Sequence, residues 1–565
     1  MRTIGSLLLV PALGRLSAAS VHEAEPAGFS ASTPPSQRAR KAEQQAARPG
    51  RGLKYVMSLV DSVLNRLTMY RLVLYYLVFL VLAALALSLF GVLPFQPLDF
   101  LASLSILVFV CWIANSAFAR VLKVPANTES LYITAFILAL IITPRSSGHS
   151  LAAGFGFLLW VGVWAMASKY VLAIRRKHIF NPAAVAVALT AFTLKQEASW
   201  WVGTPAMLPF VLLGGLLVAR KIARADLVLS FLAVAGAVIL GPELAKGAGI
   251  VSATGRFLAD TPVLFFAFVM LTEPSTTPPA KARRIVYGAL VGALFAPFLH
   301  FGKLFLTPEL ALVAGNVFSY LVSPKARYLL KLEARAQLAP DIYEFRFTGH
   351  RSIRFRPGQY LEWTLGHLRP DSRGNRRYFT IASSPDERAV RVGVKFYPGA
   401  SSFKRSLHAM RPGDQIVAAQ LAGDFVLPTG KQEKLVFMAG GIGITPFRSM
   451  LRDLLDRKEA RPITVLYSNR AAPEIVYADV LEEARQQLGI TTVYTLTDES
   501  RVPPEWQGEI GRFDSEMIAR TVPDYRERTF YLSGPRSLVV GFEEVLRDIG
   551  VPGSRIKTDF FPGYA

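Results

Sequence analysis

The sequence predicts a multidomain fold: a polytopic α-helical membrane bundle of about ten spans, then an antiparallel β-barrel domain, then an α/β domain on a parallel sheet. Three observations carry that reading. Hydrophobic residues make up 52 % of the 565 and the mean hydropathy is +0.33, the balance of an integral membrane protein. Apolar segments separated by short polar loops run from Leu72 to Val322. Past Ser323-Pro324 the pattern changes to short alternating runs, Gly/Pro turns and scattered charge, the mark of a soluble β-rich module. The length alone asks for more than one core.

Composition also narrows function. A formal net charge of +22 fits a membrane protein with basic cytoplasmic loops; the chain carries no nucleic-acid motif, and no nucleic-acid partner is expected. Cys111 is the single cysteine, which excludes an internal disulfide and a cysteine-ligated iron–sulfur cluster. No metal site is expected.

Residues 1–66 are rich in Ala, Arg, Ser, Pro and Glu without a sustained apolar period, and read as a disordered or cytoplasmic arm. Residues 67–324 read as the membrane domain, with apolar segments at 72–93, 100–118, 131–143, 151–174, 180–194, 204–218, 227–240, 262–271, 285–301 and 310–322. Several fall short of the roughly 20 residues that cross a bilayer. Arg120/Lys123, Arg175/Arg176/Lys177, Arg220/Lys221/Arg224, Lys281/Arg283/Arg284 and Lys325/Arg327 lie on one side if the spans alternate. The positive-inside rule then makes both termini cytoplasmic, and the bacterial inner membrane is the expected location.

The short third and eighth segments occupy equivalent places if the spans divide five and five, and both end at a proline, Pro144 and Pro274. An odd number of spans per half inverts the second half. The pattern therefore predicts an inverted repeat whose interrupted helices leave backbone groups free for a ligand, ion or cofactor. Lys169 and Glu273, at span ends, are expected to reach out to the interface.

Three stretches here, Lys177-His178-Ile179-Phe180-Asn181-Pro182-Ala183, Leu271-Thr272-Glu273-Pro274 and Arg284 to Gly292, are similar in sequence and order to the ten-span membrane subunit of the sodium-pumping NADH:quinone reductase and Rnf complexes. The resemblance implies electron transfer through a membrane-bound flavin. That family often attaches FMN to the threonine of a Ser-Gly-Ala-Thr sequence. The corresponding interval here, Lys195 to Ser199, has no threonine, and Ser252-Ala253-Thr254 is a faint echo in a different loop, so a non-covalent FMN is expected over a covalent one.

The soluble half carries three signals in order. In Arg376-Arg377-Tyr378-Phe379-Thr380, a cation, an aromatic and a hydroxyl share one β-like run: the cation suits a pyrophosphate, the ring an isoalloxazine face. Next, Gly399-Ala400-Ser401-Ser402-Phe403 opens a helix, whose N-terminus suits a phosphate. Last, the apolar strand 435–439 runs into Gly440-Gly441-Ile442-Gly443-Ile444-Thr445 and a helix, where glycines let the backbone approach a dinucleotide. A second turn, Ser533-Gly534-Pro535, follows a later strand.

As a set these resemble the ferredoxin–NADP⁺ reductase superfamily over about residues 328–565, with an FAD-binding barrel at 328–430 and an NAD(P)-binding domain at 431–565. The resemblance makes Arg377 the pyrophosphate arginine, with Tyr378 beside it, Phe379 the flavin-stacking ring and Thr380 the hydroxyl near flavin N5. Gly399, Ser401 and Ser402 match the second flavin-phosphate motif. Gly440, Gly441, Gly443, Thr445, Gly534 and Pro535 match the nicotinamide-nucleotide turns. Asp559, Phe560, Phe561 and Tyr564 resemble the family's acidic-aromatic ending, which covers the flavin. Ser533 stands where many members have cysteine. Phe379, Thr380 and Tyr564 are thus the expected catalytic set, FAD and NAD(P)H the cofactors, and the bilayer and a quinone or redox protein the partners. Hydride transfer by positioning needs no catalytic dyad. Two alternatives stay open: a redox-linked Na⁺ or H⁺ transporter, and a haem-containing ferric-reductase type. His149, His178 and His300 offer the latter no facing pair.

Overall fold

The computed structural model describes residues 67–559, with Val60 and Leu64 ahead of them, apart from 123–127, 145–150, 175–176, 223, 297, 303, 324–326, 351, 368–370 and 372–373. Phe560, Phe561 and Tyr564 lie outside the described residues.

The apolar half is helical: α1 (Met69–Leu89), α2 (Pro97–Val121), α3 (Thr128–Ile141), α4 (Leu151–Val171), α5 (Pro182–Leu194), α6 (Leu208–Ile222), α7 (Ala225–Ala245), α8 (Ile250–Ala259), α9 (Lys281–Leu294) and α10 (Pro308–Val322). Between α8 and α9, Val263–Phe265 runs into a π-helical turn, Phe266–Met270. Each apolar segment read from the sequence contains helix, although 173–174 and 300–301 form short strands. Four helices, α1, α2, the 154–171 part of α4 and α7, are long and apolar enough to cross a membrane, and α8 with 263–270 forms a bent pair at 63°. The sequence reading missed α8, whose Ser252, Thr254 and Arg256 dilute its apolar face.

Small residues set the closest helix contact. A Cβ on Gly288 of α9 would stand 2.7 Å from Leu227 O of α7, and one on Gly292 2.7 Å from Phe231 O, so these two glycines let the backbones meet. Where α3 stops before Pro144, its end carbonyls find partners within the protein rather than awaiting a ligand. Trp201 Nε1–H lies 3.2 Å from Ala139 O and 3.0 Å from Ile142 O, and Trp200 N–H donates to Ile141 O at 2.9 Å. A buried carbonyl without a partner is costly, and the indole N–H is a donor suited to an apolar setting.

The second half holds two sheets. The antiparallel one is built from β1 (Arg327–Ala339), β2 (Ile342–Gly349), β3 (Tyr360–Thr364), β4 (Arg376–Thr380), β5 (Val390–Lys395) and, after α11 (Ser402–Ala409), β6 (Gln415–Ala422). Its order is β4-β3-β6-β1-β2-β5. The edges meet only just beyond β4, where Ala382 N–H donates to Arg391 O at 2.8 Å, so the barrel expected is a half-barrel. Phe345, Phe347, Leu361, Trp363 and Phe403 fill it and are essentially inaccessible, each contributing about 1.5–3 kcal/mol of burial.

The parallel sheet has β7 (Leu435–Gly440), then α12 (Thr445–Asp456), β8 (Ile463–Asn469), α13 (Ala478–Leu488), β9 (Thr491–Leu496), β10 (Glu509–Ile510), α14 (Ser515–Thr521), β11 (Thr529–Ser533), α15 (Arg536–Asp548) and β12 (Ile556–Thr558). The order β10-β9-β8-β7-β11-β12 reverses direction between β7 and β11. At such a switch point the strand ends open a crevice. Every residue of β7 is buried, as a central strand covered on both faces requires.

Candidate active site

Side chains alternate along β4. Arg377 and Phe379 turn toward α11: the Arg377 guanidinium lies 5.4 Å over the Phe403 ring, and the Phe379 and Phe403 centroids are 6.0 Å apart. Tyr378 faces the other way, donating from its hydroxyl to Glu362 Oε2 at 3.2 Å and meeting Tyr360 edge-on at 5.3 Å. Thr380, buried at the strand end, hydrogen-bonds the Asp559 carboxyl, to which the Ser533 hydroxyl also donates at 3.3 Å. Burial pushes the Asp559 carboxyl up to about 7, against the lowering effect of those two hydroxyls. The site therefore has a carboxyl that titrates near neutrality beside the strand's hydroxyl.

Gly399 takes a left-handed φ of +76° at the turn into α11, a conformation glycine adopts freely. Ser401 caps α11 by accepting from Lys404 N–H at 3.3 Å. Ser402 N–H donates to Asp371 Oδ2 at 2.8 Å, and the Ser402 hydroxyl is 2.9 Å from both Asp371 N and His367 Nε2. The Asp371 carboxylate thus takes the Ser402 N–H at the helix start, the kind of place where an anion is favoured. With Arg377 alongside, these residues fit a pyrophosphate, the group by which FAD would be held. The sequence reading missed Asp371 and His367; they lie some thirty residues before the Gly-Ser turn and match no local pattern.

The Gly440–Gly443 and Ser533–Gly534 turns meet at the switch point. A Cβ on Gly443 would stand 2.4 Å from Ser533 O and 2.5 Å from Gly534 Cα, so only glycine permits the approach. Gly441 has φ +52°, and Thr445 and Pro446 then start α12. These backbones form a cradle that fits a dinucleotide phosphate. Pro535 caps α15 from the second turn.

Contacts absent from the motifs lock the two cradles together. Arg448 of α12 donates to Ala382 O at 3.0 Å and to Glu387 Oε1 at 2.9 Å, and the Ser449 hydroxyl donates to Ser383 O at 2.6 Å. Burial opposes the Glu387 charge, yet the Arg448 hydrogen bonds and charge hold its carboxyl below the ordinary range. This clamp fixes the exit of β4 relative to the nucleotide turn. Its only sequence signal was a pair of charges thinly spread over sixty residues.

The three stretches singled out in the membrane half also converge. Glu273 Oε1 is 3.1 Å from His178 Nε2, and Asn181 Nδ2 donates to Glu273 Oε2 at 2.9 Å. Asn181 N–H donates to Asn316 Oδ1 at 2.8 Å, and Asn316 Nδ2 to the Tyr287 hydroxyl at 3.1 Å. Lys169 donates to Ser130 O at 2.8 Å and Oγ at 3.0 Å. Glu273 and Lys169 thus bind neighbours inside the bundle and do not snorkel outward. Among the described residues no group of three metal-ligating side chains occurs.

Residues 437–544 match the Oxidoreductase NAD-binding domain family. The chain is 28% identical over 231 residues to a flavohemoprotein of Pseudomonas aeruginosa, covering 40% of this chain and 56% of that protein. It is 31% identical over 205 residues to an NADPH oxidoreductase of Mycobacterium tuberculosis, covering 35% and 50%. The flavohem-like FAD/NAD-binding domain of nitric oxide dioxygenase from Vibrio cholerae aligns at 21% identity over 41% of this chain and 98% of that one, with a TM-score of 0.37. The chain spans a little over half the length of the first curated relatives it matches. The matches lie in its C-terminal part, which resembles the NAD-binding domain of oxidoreductases and an NADPH oxidoreductase.

Proposed function

We propose that the chain is a membrane-bound flavoprotein that passes electrons from cytosolic NAD(P)H, through FAD, to its apolar half and on to an acceptor there. One observation carries this reading: the soluble half meets the helices at the start of α9, and the outer face of the flavin strand lies within electrostatic range of the helix ends. The Tyr360 and Tyr378 side chains lie within electrostatic reach of the buried Arg224, between α6 and α7. Lys281 N–H, at the start of α9, donates to Asp424 Oδ2 at 3.4 Å. An anchor has no need of such contact at the redox strand; an electron path does.

Arg377, Ser401, Ser402 and Gly399 would hold the FAD pyrophosphate, with Phe379 and Thr380 available to its ring system. Gly440, Gly441, Gly443, Thr445, Gly534 and Pro535 seat NAD(P)H across the switch point, and the Arg448–Glu387 clamp sets the spacing between the two. FAD supplies hydride acceptance and single-electron release when bound. The ten helical segments form an inverted-repeat bundle with both termini cytoplasmic.

The test is cofactor analysis of the detergent-purified chain. About one FAD per chain, bleached by NADH or NADPH, is the expected result. A haem Soret band, or no flavin, overturns the reading.

A further inference from the structure

A ring of side chains closes across the joint between the half-barrel and the α/β half. Glu344 of β2, 1% exposed, accepts from Arg391 Nη1 at 2.9 Å. Arg391 Nε stands 2.7 Å from Glu387 Oε1, which also accepts from Arg448 of α12 at 2.9 Å. The Arg448 guanidinium lies 5.8 Å over the ring of the buried Tyr477. The Tyr477 hydroxyl then returns to the half-barrel at Gly393 of β5, the residue paired with Glu344 across the β2–β5 ladder. Glu344, Glu387 and Arg391 belong to the half-barrel, and Arg448 and Tyr477 to the α/β half.

Gly393 is where the two halves come closest at this edge. A Cβ on it would stand 2.8 Å from Thr445 Cγ2, 3.0 Å from Ile442 Cδ1 and 3.0 Å from Tyr477 Oη. Ile442 and Thr445 are part of the nucleotide turn, and Thr445 is not free to swing aside, because its hydroxyl donates to Ile442 O at 3.1 Å. Tyr477 takes a left-handed φ of +59°, which a bulky residue keeps only where its surroundings over-determine it. A second tie runs beside it: Lys395, at the end of β5, pairs at 2.6 Å with Glu474, in the same segment between β8 and α13.

Resting on the proposed function above, we propose that Gly393 and Tyr477 are positioning residues for hydride transfer: with the ring of Glu344, Arg391, Glu387 and Arg448, they set how closely the nucleotide turn approaches the flavin-binding sheet. Both act through Ile442 and Thr445. The Arg448 contact to Ala382 O holds the turn's helix to the exit of β4, and Gly393 seats the turn on β5, so it is held at both edges of the half-barrel. Buried ion pairs add little stability over apolar packing, but displacing one partner strands the other charge. The ring therefore admits one register where an apolar face would tolerate sliding. Register matters because the hydride, carrying both electrons, leaves NAD(P)H as NAD(P)⁺ and reduces FAD directly. A misplacement of about 1 Å costs such a step on the order of 100-fold.

The experiment uses the full-length purified protein in detergent. Gly393→Ala wedges a methyl group against Thr445, and Tyr477→Phe removes one oxygen from the joint. Flavin reduction by saturating NAD(P)H is followed by stopped flow, with hydrogen or deuterium at the nicotinamide C4. Backbone hydrogen exchange over residues 441–447 is measured without nucleotide. Gly393→Ala is expected to slow flavin reduction at least tenfold and Tyr477→Phe at least threefold. Each should show a larger isotope effect, wild-type FAD content and at least threefold faster exchange over 441–447. Tyr477→Phe decides alone if Gly393→Ala does not fold. A lower thermal midpoint with an unchanged rate and isotope effect makes the joint purely structural and overturns the proposal, as does slowing that only matches lost FAD. Wild type that holds no FAD, or whose FAD is not reduced by NAD(P)H, overturns the underlying reductase reading instead.

Discussion

Arg377 is 5% exposed and lies over Phe403 beside the start of α11. If it holds a pyrophosphate, its planar fork matters as well as its charge. Arg377→Ala is expected to purify with under a tenth of the wild-type FAD, and Arg377→Lys with an intermediate amount, since a charge-assisted hydrogen bond is worth about 1.5–3 kcal/mol. Acid release and fluorescence of the flavin measure both. Asp559 makes the residue-scale pH prediction. Its carboxyl, pushed up to about 7 by burial, is neutral below that pH and charged above it. A negative charge joined to Thr380 opposes arrival of electrons at the neighbouring flavin edge. The rate of flavin reduction by NAD(P)H should therefore fall as pH rises through about 7, and Asp559→Asn should flatten that step. An unchanged inflection in Asp559→Asn, followed by stopped-flow absorbance, refutes the assignment.

At the scale of elements, the tightest joint is the meeting of the β7 and β11 turns. Gly443→Ala puts a Cβ 2.4 Å from a backbone carbonyl, where no flexible side chain can yield. Overpacking of this kind costs about 1–3 kcal/mol, so the thermal midpoint should drop by several degrees and the KM for NAD(P)H should rise at least tenfold. Retained FAD with a raised KM separates damage at the nucleotide turn from global unfolding. The turn drew notice in the sequence because the strand before it and the helix after it strengthen a signal that a glycine run alone carries only weakly. The clamp of Arg448 on Glu387 did not: it joins residues 61 apart through tertiary packing, which leaves no periodicity. Asp371 at the α11 start was hidden likewise. In the helical half, the stretches around Asn181, Glu273 and Tyr287 drew notice as separate motifs, and only folding joins them into one hydrogen-bonded chain. The expectation of free carbonyls after α3 missed the Trp200 backbone N–H and the Trp201 indole, because a proline break reveals which groups lose their helical partners but not who replaces them.

At the scale of the whole molecule, charge and contact point the same way. Two of the basic loops read as cytoplasmic face the soluble half: Arg224 lies within electrostatic range of Tyr360 and Tyr378, and Lys281 N–H donates to Asp424. Arg284 at that end is fixed by Asp226 at 2.9 Å, with both partners largely buried, so the positive charge belongs to the structure of this face. A basic end is retained on the cytoplasmic side during insertion, and the nucleotide site must lie on the side where NAD(P)H is made. Inside-out membrane vesicles should then oxidise added NAD(P)H with ferricyanide at least tenfold faster than right-side-out vesicles, and detergent should equalise the two. Equal rates in sealed vesicles of both orientations, or the reverse order, would refute the cytoplasmic assignment. The basic loops would then owe their charge to binding the reductase half alone.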